Sequence, residues 1–587
     1  MTTRADKRRS RAGIAALVLV AAASALLIQM PGANQDAHLA LVKSLSDGTP
    51  RIDRYRNETG DTAYIDGHYY AAKAPGLALF TLPWYLALDS TGLAVAKGPS
   101  PKPWPKAQEE MSRTAVWEVG LFGATLPALV LLFLLRGVVE RIVPGYGTAA
   151  ALAVGGGTLL AVLGTFFFAH TLAACLGFGA FALLLRERSA RASLRLVAAA
   201  GLVAGLAVVV EFPLAIVAAA LGAYALLRVD RWRRAAAYAG GVAAGLVPLI
   251  AFNTWAFGSP MTLSYTNAVV DPGTSGHEVL GANAKGFFGV GTPSPRALLE
   301  LLFSAKGLLV LAPVCALAGF GLVALWHRGR KAESVLVCGL ATAFLVYNAA
   351  YYQPFGGFPP GPRFLVPLLP FLALPIAAAW RALPSTATAL ALASLTVTWV
   401  ALVAEPLAGS EDAGTWFHRL GTGDVTRTVF YWAWSDAGVL EVLPVLALVG
   451  GAVALALLVT PLRIDAGGAL LALAAVAAWR IVYVSAPIML SVDRNEGGWQ
   501  GAAATTGLVL AIPMSLVLLA RGRLAALAPA LALAPLVVPR FAAHTTVSLV
   551  AVALSLVGHL VVAGFGRAAP APAAAGAASV QQVRRTL

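Results

Sequence analysis

Apolar runs of roughly 18–22 residues recur along the whole chain, and each is long enough to cross a hydrocarbon core as a helix. A soluble domain has no use for so many such runs, because it must cover itself with polar surface. The balance of 58% hydrophobic against 12% charged residues in a chain of 587 agrees. The runs are rich in Ala, Leu, Val and Gly and lack ten-residue alternation, which favours helices over an outer-membrane barrel. The fold class expected is an all-α integral membrane protein.

Basic charge gives the threading. Arg8–Arg11 (RRSR) precede the first run, Ala12–Met30. This run reads as a retained helix with its amino terminus inside; a cleaved signal peptide is the alternative. Further spans are expected at Val116–Leu135, Thr148–Thr165, Phe168–Leu185, Leu194–Val210, Pro213–Leu227, Ala235–Ala256 and Gly307–Leu325. Others follow at Ser334–Asn348, Leu365–Trp380, Ala387–Val403, Val439–Val459, Ala466–Val484, Ala502–Leu519, Leu524–Val538 and Val547–Val562.

Counting alternately from inside puts the Arg-bearing loops on one side: Arg136/Arg141, Arg186/Arg188/Arg191/Arg195, Arg228/Arg231/Arg233/Arg234, Arg328/Arg330/Lys331, Arg381, Arg463, Arg521/Arg523 and Arg567. Acidic segments stay on the other, as the positive-inside trend requires. The expectation is about 14–16 helices in a cell membrane, both termini cytoplasmic and the chemistry extracytoplasmic. The net charge of +15 is thereby read as topology, and no nucleic-acid partner is expected.

The organisation expected is a basic tail with the first helix (1–30), an outer loop with interfacial helices (31–113) and a transmembrane core (114–403). A second outer loop (404–438), carboxy-terminal helices (439–566) and a disordered cytoplasmic tail (567–587) complete it. Gly201-x-x-x-Gly205 and Gly241-x-x-x-Gly245 read as close helix packing. Cys175, Cys315 and Cys338 lie in apolar runs with neither a disulfide pattern nor a zinc-site spacing. No GxxxxGK[ST], HExxH or Cys-x-x-Cys is present, which argues against an ATP-driven pump.

The stretch Pro31–Pro75 carries most of the candidate chemistry. Ala37–Leu45 has helical periodicity, with Leu39, Val42 and Leu45 on one side, and predicts a helix lying at the interface. Leu77–Leu88, interrupted by Pro83, predicts a second. Asp47, Glu58 and Asp66 read as loop-solvating acids. Asp36 stands a few residues past the first helix, where a carboxylate can act as general base on a hydroxyl while a second substrate keeps its lipid tail in the bilayer.

Tyr351 to Arg363 forms a Gly/Pro-rich segment containing Tyr351 and Tyr352 and ending in an Arg at the mouth of a span. An outer Arg at that depth opposes the positive-inside trend; snorkelling to the interface is one account, and an anionic partner such as a lipid phosphate, which guanidinium matches two-pronged, is the favoured one. His170 and Glu211 sit at outer ends of spans as further candidates. The segment after Ala256 adds Tyr265, Asn267, Asp271, His277, Glu278 and Lys285.

These features resemble the GT-C superfamily of membrane glycosyltransferases, most closely its polyprenyl-phosphate-sugar-dependent branch, which includes protein O-mannosyltransferases and the aminoarabinose transferase of lipid A. The resemblance rests on the acid after the first helix, Asp36, and on Gly67-His68-Tyr69-Tyr70-Ala71-Ala72-Lys73-Ala74-Pro75, similar to that branch's G-x-x-Y-x-x-K-x-P stretch. Arg113 in Met111-Ser112-Arg113 is similar to its Arg at the start of the second helix. The likeness covers the amino-terminal half and hardly the last third.

The resemblance implies a GT-C-like bundle, Asp36 as catalytic base, Lys73 and Arg363 as holders of the donor phosphate, and inversion at the anomeric carbon. Asp53, Asp61, His68, Tyr70, Arg113, His170, Tyr351 and Tyr352 are candidate substrate contacts. Many members have two adjacent acids where this chain has Asn34-Gln35-Asp36-Ala37, so the base stays open among Asp36, Asp53 and Asp61.

The partners implied are a polyprenyl-phosphate sugar, membrane lipid, and a cell-envelope glycan, lipid or protein acceptor. No cofactor and no metal ligand is assigned, and participation of a divalent cation is left open. The rivals are a transporter or flippase of a lipid-linked or anionic substrate, a polysaccharide polymerase or ligase using the outer segment Glu405–Asp436, and a non-catalytic envelope scaffold. The Ala-rich, Arg-over-Lys composition points to a high-GC bacterium.

Overall fold

The structure is a computed structural model. It describes residues 4–92, 110–189, 193–269, 289–356, 361–404, 413–434, 437–462, 464–485, 511, 515, 518, 524–534 and 545–564. The expected tail 567–587, most of the run Ala502–Leu519, and the candidates Asp271, His277, Glu278 and Lys285 lie outside the described residues.

Among the described residues six helices are long and apolar enough to span a membrane: Arg113–Ile142, Ala169–Ser189, Arg231–Phe257, Lys331–Ala350, Pro384–Val403 and Val439–Val459. Two bent pairs raise this to eight, and five shorter apolar helices accompany them. Without water to bond its polar groups, a spanning backbone closes its hydrogen bonds within each helix. The chain is a multi-pass helical membrane protein.

The helices of the first half are α1 (Arg4–Ala25), α2 (Ala33–Ser46), α3 (Gly76–Ser90), α4 (Glu110–Gly120), α5 (Leu126–Ile142), α6 (Gly147–Ala151), α7 (Leu159–Thr165), α8 (Ala169–Ser189), α9 (Leu194–Val210), α10 (Leu214–Ala225) and α11 (Arg231–Phe257). A single π turn, Leu121–Thr125, joins α4 to α5. There Gly123 lets Phe167 and Thr81 approach within 2.6–2.7 Å of where a Cβ would stand.

Two expected straight spans are broken. Thr148–Thr165 bends by 65° where Thr158 caps α7 through its hydroxyl, accepting from the Leu160 amide. Gly307–Leu325 bends by 109° at Pro313, which lacks the amide needed to continue the preceding turn. The hydropathy of each run is continuous, so the breaks come from capping and proline chemistry.

The small residues of α9 and α11 pack backbone to backbone. A Cβ at Gly201 would stand 2.2 Å from the Tyr238 carbonyl oxygen, and one at Gly241 would stand 2.1 Å from that of Ala198. The two Gly-x-x-x-Gly segments face each other within one chain. Beside them, buried Glu187 takes both prongs of Arg234 at 2.6 and 2.9 Å.

Two small sheets complete this part. Strand β1 (Leu27–Ile28) pairs antiparallel with Arg427–Thr428, tying the end of the first helix to a late loop. Strands β2 (Thr62–Ile65), β3 (His68–Ala71) and β4 (Ala268–Val269) form an antiparallel sheet in the order β3-β2-β4.

The chain divides into two units, Met1–Ala472 with Ile488–Asp493, and Leu473–Pro487 with Arg494–Leu587. In the second, His559 is fully buried between the hydroxyl of Ser515, 2.6 Å from Nε2, and the carbonyl of Ser555, 2.7 Å from Nδ1.

Candidate functional site

The helix predicted over Ala37–Leu45 forms as part of α2 and is enclosed by protein: Asn34 to Leu45 are all buried. Its periodicity suggested one apolar face, but neighbouring elements cover the polar face too. Glu58 is also not a solvating acid. It is 7% exposed, and the Lys43 ammonium donates to its two oxygens at 3.2 and 3.0 Å. Two opposite charges fifteen residues apart neutralise each other there, as burial demands.

Asp36 lies in the first turn of α2, after a cap in which the Gly32 amide donates to Gln35 Oε1 at 3.1 Å. It is 4% exposed, and its Oδ2 makes no hydrogen bond. Burial holds its carboxyl well above the usual range; Glu58 pushes the same way, Lys43 opposes, and Asp61 adds to the rise.

The β2–β3 hairpin builds the cationic side. Asp66 and Gly67 form its two-residue turn with φ of 50° and 84°, the left-handed pair that an Asp-Gly hairpin turn needs. That turn sets the register Thr62↔Ala71, and the Ala72 amide then donates to the Asp61 carbonyl at 3.0 Å. Lys73 therefore emerges beside Asp61, its ammonium 2.8 Å from Oδ2, both side chains largely buried. Ser264, next to β4, donates to the Lys73 carbonyl at 3.2 Å.

Arg363 arrives from the far end of the sequence. Its guanidinium lies 5.7 Å from the ring centre of Phe168 and 5.2 Å from that of Phe364, and its Nε is buried without a partner. Gly356, at φ +81°, makes the room: a Cβ there would stand 2.5 Å from that Nε.

Two buried histidines, His38 and His170, feel the charge of both cations. His38 is 1% exposed, its Nδ1 without a partner and its ring edge-on to Phe167 at 6.0 Å. Burial pushes it down to about 3, with Lys73 and Arg363 acting in the same direction and Asp61 against them. His170, 3% exposed, stacks on Phe364 at 5.8 Å, and neither of its nitrogens makes a hydrogen bond. Glu211 Oε1 stands 3.3 Å from His170 Nδ1, close enough to pair but not aligned as a hydrogen bond.

Arg363 and His170 lie against the same two rings, Phe168 and Phe364, and Lys73, some 290 residues from Arg363 in sequence, also acts electrostatically on His170. Tyr351 and Tyr352 lie beside it. The hydroxyl of Tyr265 bonds that of Tyr351 and lies 3.3 Å from that of Tyr352, while Tyr351 packs edge-on to Phe364.

The remaining candidates fall elsewhere. Asp53 accepts from the Tyr69 amide at 2.7 Å and pairs with His68 at 2.9 Å, both acid and histidine exposed. Neither is among the charged groups acting on Asp36, His38 or His170. Tyr70 spends its hydroxyl on the Ala256 carbonyl at 3.0 Å, fastening the hairpin to the end of α11. Arg113 lies against Met30, 3.1 Å from its sulfur. Among the described residues no group of three or more His, Cys, Asp or Glu is placed to hold a metal ion.

Sequence reasoning missed His38, the buried Lys43–Glu58 pair and Tyr265's place beside Tyr351. The signal for His38 was an imidazole two residues from Asp36 inside an apolar helical stretch.

The sequence matches no protein-family model and no curated protein. Among solved structures the chain is similar to ArnT from Cupriavidus metallidurans bound to undecaprenyl phosphate, at 15% identity and a TM-score of 0.41, over 93% of this chain and 75% of that one. It is also similar to the Archaeoglobus fulgidus oligosaccharyltransferase in the apo form, at 12% identity and a TM-score of 0.39, over 83% of this chain and 61% of that one.

Proposed function

We propose that this protein is a membrane glycosyltransferase that moves a sugar from a polyprenyl-phosphate donor to a hydroxyl of an extracytoplasmic glycan, lipid or protein. The observation that carries the reading is a buried carboxyl with a free oxygen, Asp36, acted on by Asp61, the partner of Lys73, and two residues along α2 from His38, on which Lys73 and Arg363 both act.

In this reading Asp36, once deprotonated, takes the proton of the acceptor hydroxyl. The acceptor oxygen bonds the anomeric carbon as the anomeric carbon–oxygen bond to phosphate breaks, and the electron pair leaves with the phosphate. One displacement inverts the configuration. Lys73 and Arg363 stabilise the charge that grows on the departing phosphate, where burial screens them less than surface ions. Asp61 holds Lys73 in place until the anion arrives. A carboxyl raised by burial is a stronger base than an exposed one, provided the pH is high enough to ionise it.

A donor with a lipid tail accounts for a site at the edge of membrane helices and for the lack of a nucleotide-binding motif. The test is turnover by purified protein in proteoliposomes, with polyprenyl-phosphate sugars and acceptors of each class. Release of polyprenyl phosphate that depends on acceptor and is lost in Asp36→Asn supports the reading. A folded wild-type protein that transports such lipids without cleaving them overturns it.

A further inference from the structure

The cations and Asp36 leave one pair without a task, buried His170 and partly exposed Glu211. Glu211 sits where α9 ends and α10 has not begun, so its carboxylate projects from a break between two apolar helices. Buried polar atoms in native proteins are almost always hydrogen-bonded. An imidazole with two idle nitrogens, among Lys73, Arg363 and His38, marks space that a ligand with acceptor oxygens would fill.

Resting on the glycosyltransferase reading, we propose that His170 is a third ligand to the donor phosphate, binding it as an imidazolium whose other nitrogen is held by Glu211. One ring nitrogen donates to a phosphate oxygen and Nδ1 donates to the carboxylate, which needs only a small rotation from the present 3.3 Å approach. Binding then draws one proton from solvent.

The electrostatics favour that uptake only when the site is filled. Lys73, Arg363 and His38 act on His170, with Asp61 paired to Lys73, Glu211 3.3 Å from the ring, and Tyr347 and Glu211 acting on each other. A phosphate seated between the two cations offsets their charge. It leaves Glu211 and the phosphate itself as the charges nearest the ring, and both favour the imidazolium. His170 thereby follows the phosphate's charge and releases its proton when the product leaves.

Titration calorimetry of the full chain in detergent at about pH 8, where Glu211, pushed up to about 7 by burial, and the probe phosphate are both already ionised, tests this with farnesyl phosphate as probe in two buffers of different ionisation enthalpy. Wild type is expected to take up about one proton on binding. His170→Gln should abolish the uptake and weaken binding roughly ten- to a hundred-fold, the range of a hydrogen bond to a charged group. Inorganic phosphate, lacking a tail, should bind far more weakly than farnesyl phosphate; equal binding would assign the site to free phosphate and overturn the lipid-donor form of the proposal.

Unchanged uptake and affinity in His170→Gln overturn the proposal. Should that variant fail to fold, Glu211→Gln carries the test: lost uptake supports the proposal and unchanged uptake overturns it. A folded wild type that binds no farnesyl phosphate instead defeats the donor reading itself, so the two failures are distinguishable.

Discussion

Glu58→Gln removes one charge from the pair that walls Asp36, and its effects on stability and catalysis are separable. Lys43 lies 3.2 and 3.0 Å from the two Glu58 oxygens, with side chains 5% and 9% exposed. Removing one partner of such a pair typically costs about 3–5 kcal/mol, because the other charge stays buried with less to offset it. The Tyr55 ring, 5.2 Å from the ammonium, keeps part of that charge satisfied, worth about 1 kcal/mol. A net loss of about 2–4 kcal/mol is therefore expected in unfolding of the detergent-solubilised protein. Glu58→Gln with Lys43→Met should recover most of it, since a neutral pair leaves no buried charge.

The catalytic readout follows from the same charges. Glu58 raises Asp36 and Lys43 lowers it, so Glu58→Gln should move the acid limb of transferase activity to lower pH. Equal destabilisation by the single and double variants, or an acid limb that moves upward, would refute the reasoning.

Asp36 itself predicts opposite trends in one pH window. Its folded pKa is raised, so the stability it lends is complete below its ordinary 3.8 and is lost as pH rises through the folded value. Activity should rise over that same window; Asp36→Asn should flatten both profiles and lower turnover by about 10²–10⁴-fold. Arg363→Lys should weaken polyprenyl-phosphate binding roughly ten-fold or more although it keeps the charge, because the planar two-pronged contact is lost; equal affinity would contradict a guanidinium–phosphate contact. Gly241→Val should separate α9 from α11, since a Cβ would already meet the Ala198 carbonyl at 2.1 Å, and should be read as lost monodisperse protein in size-exclusion chromatography; a fully stable variant would refute the backbone packing.

Much of the bundle was legible because lipid leaves a spanning segment little choice: a long apolar run closes its hydrogen bonds as a helix. The bends at Thr158 and Pro313 were not, since hydropathy averages over the capping threonine and the proline that cause them. The hairpin was written in Tyr64-Ile65-Asp66-Gly67-His68-Tyr69, an Asp-Gly turn between β-prone residues, although the charge-rich stretch reads first as an irregular loop. Asp36, Lys73 and Arg363 stood out because each is an ion beside an apolar segment. His38 and the Lys43–Glu58 pair did not, because their meaning depends on α2 being enclosed, which no periodicity reveals.

The central claim is that Lys73 and Arg363 close on the phosphate of a lipid whose tail stays in the membrane. An electron cryo-microscopy map of the full chain with a polyprenyl phosphate tests it most directly. Phosphate density is expected in hydrogen-bond contact with the Lys73 ammonium and the Arg363 guanidinium, with Asp36 facing the space beside it. Phosphate bound instead at the Glu187–Arg234 group, or anywhere that leaves Lys73 on Asp61 alone, would contradict it.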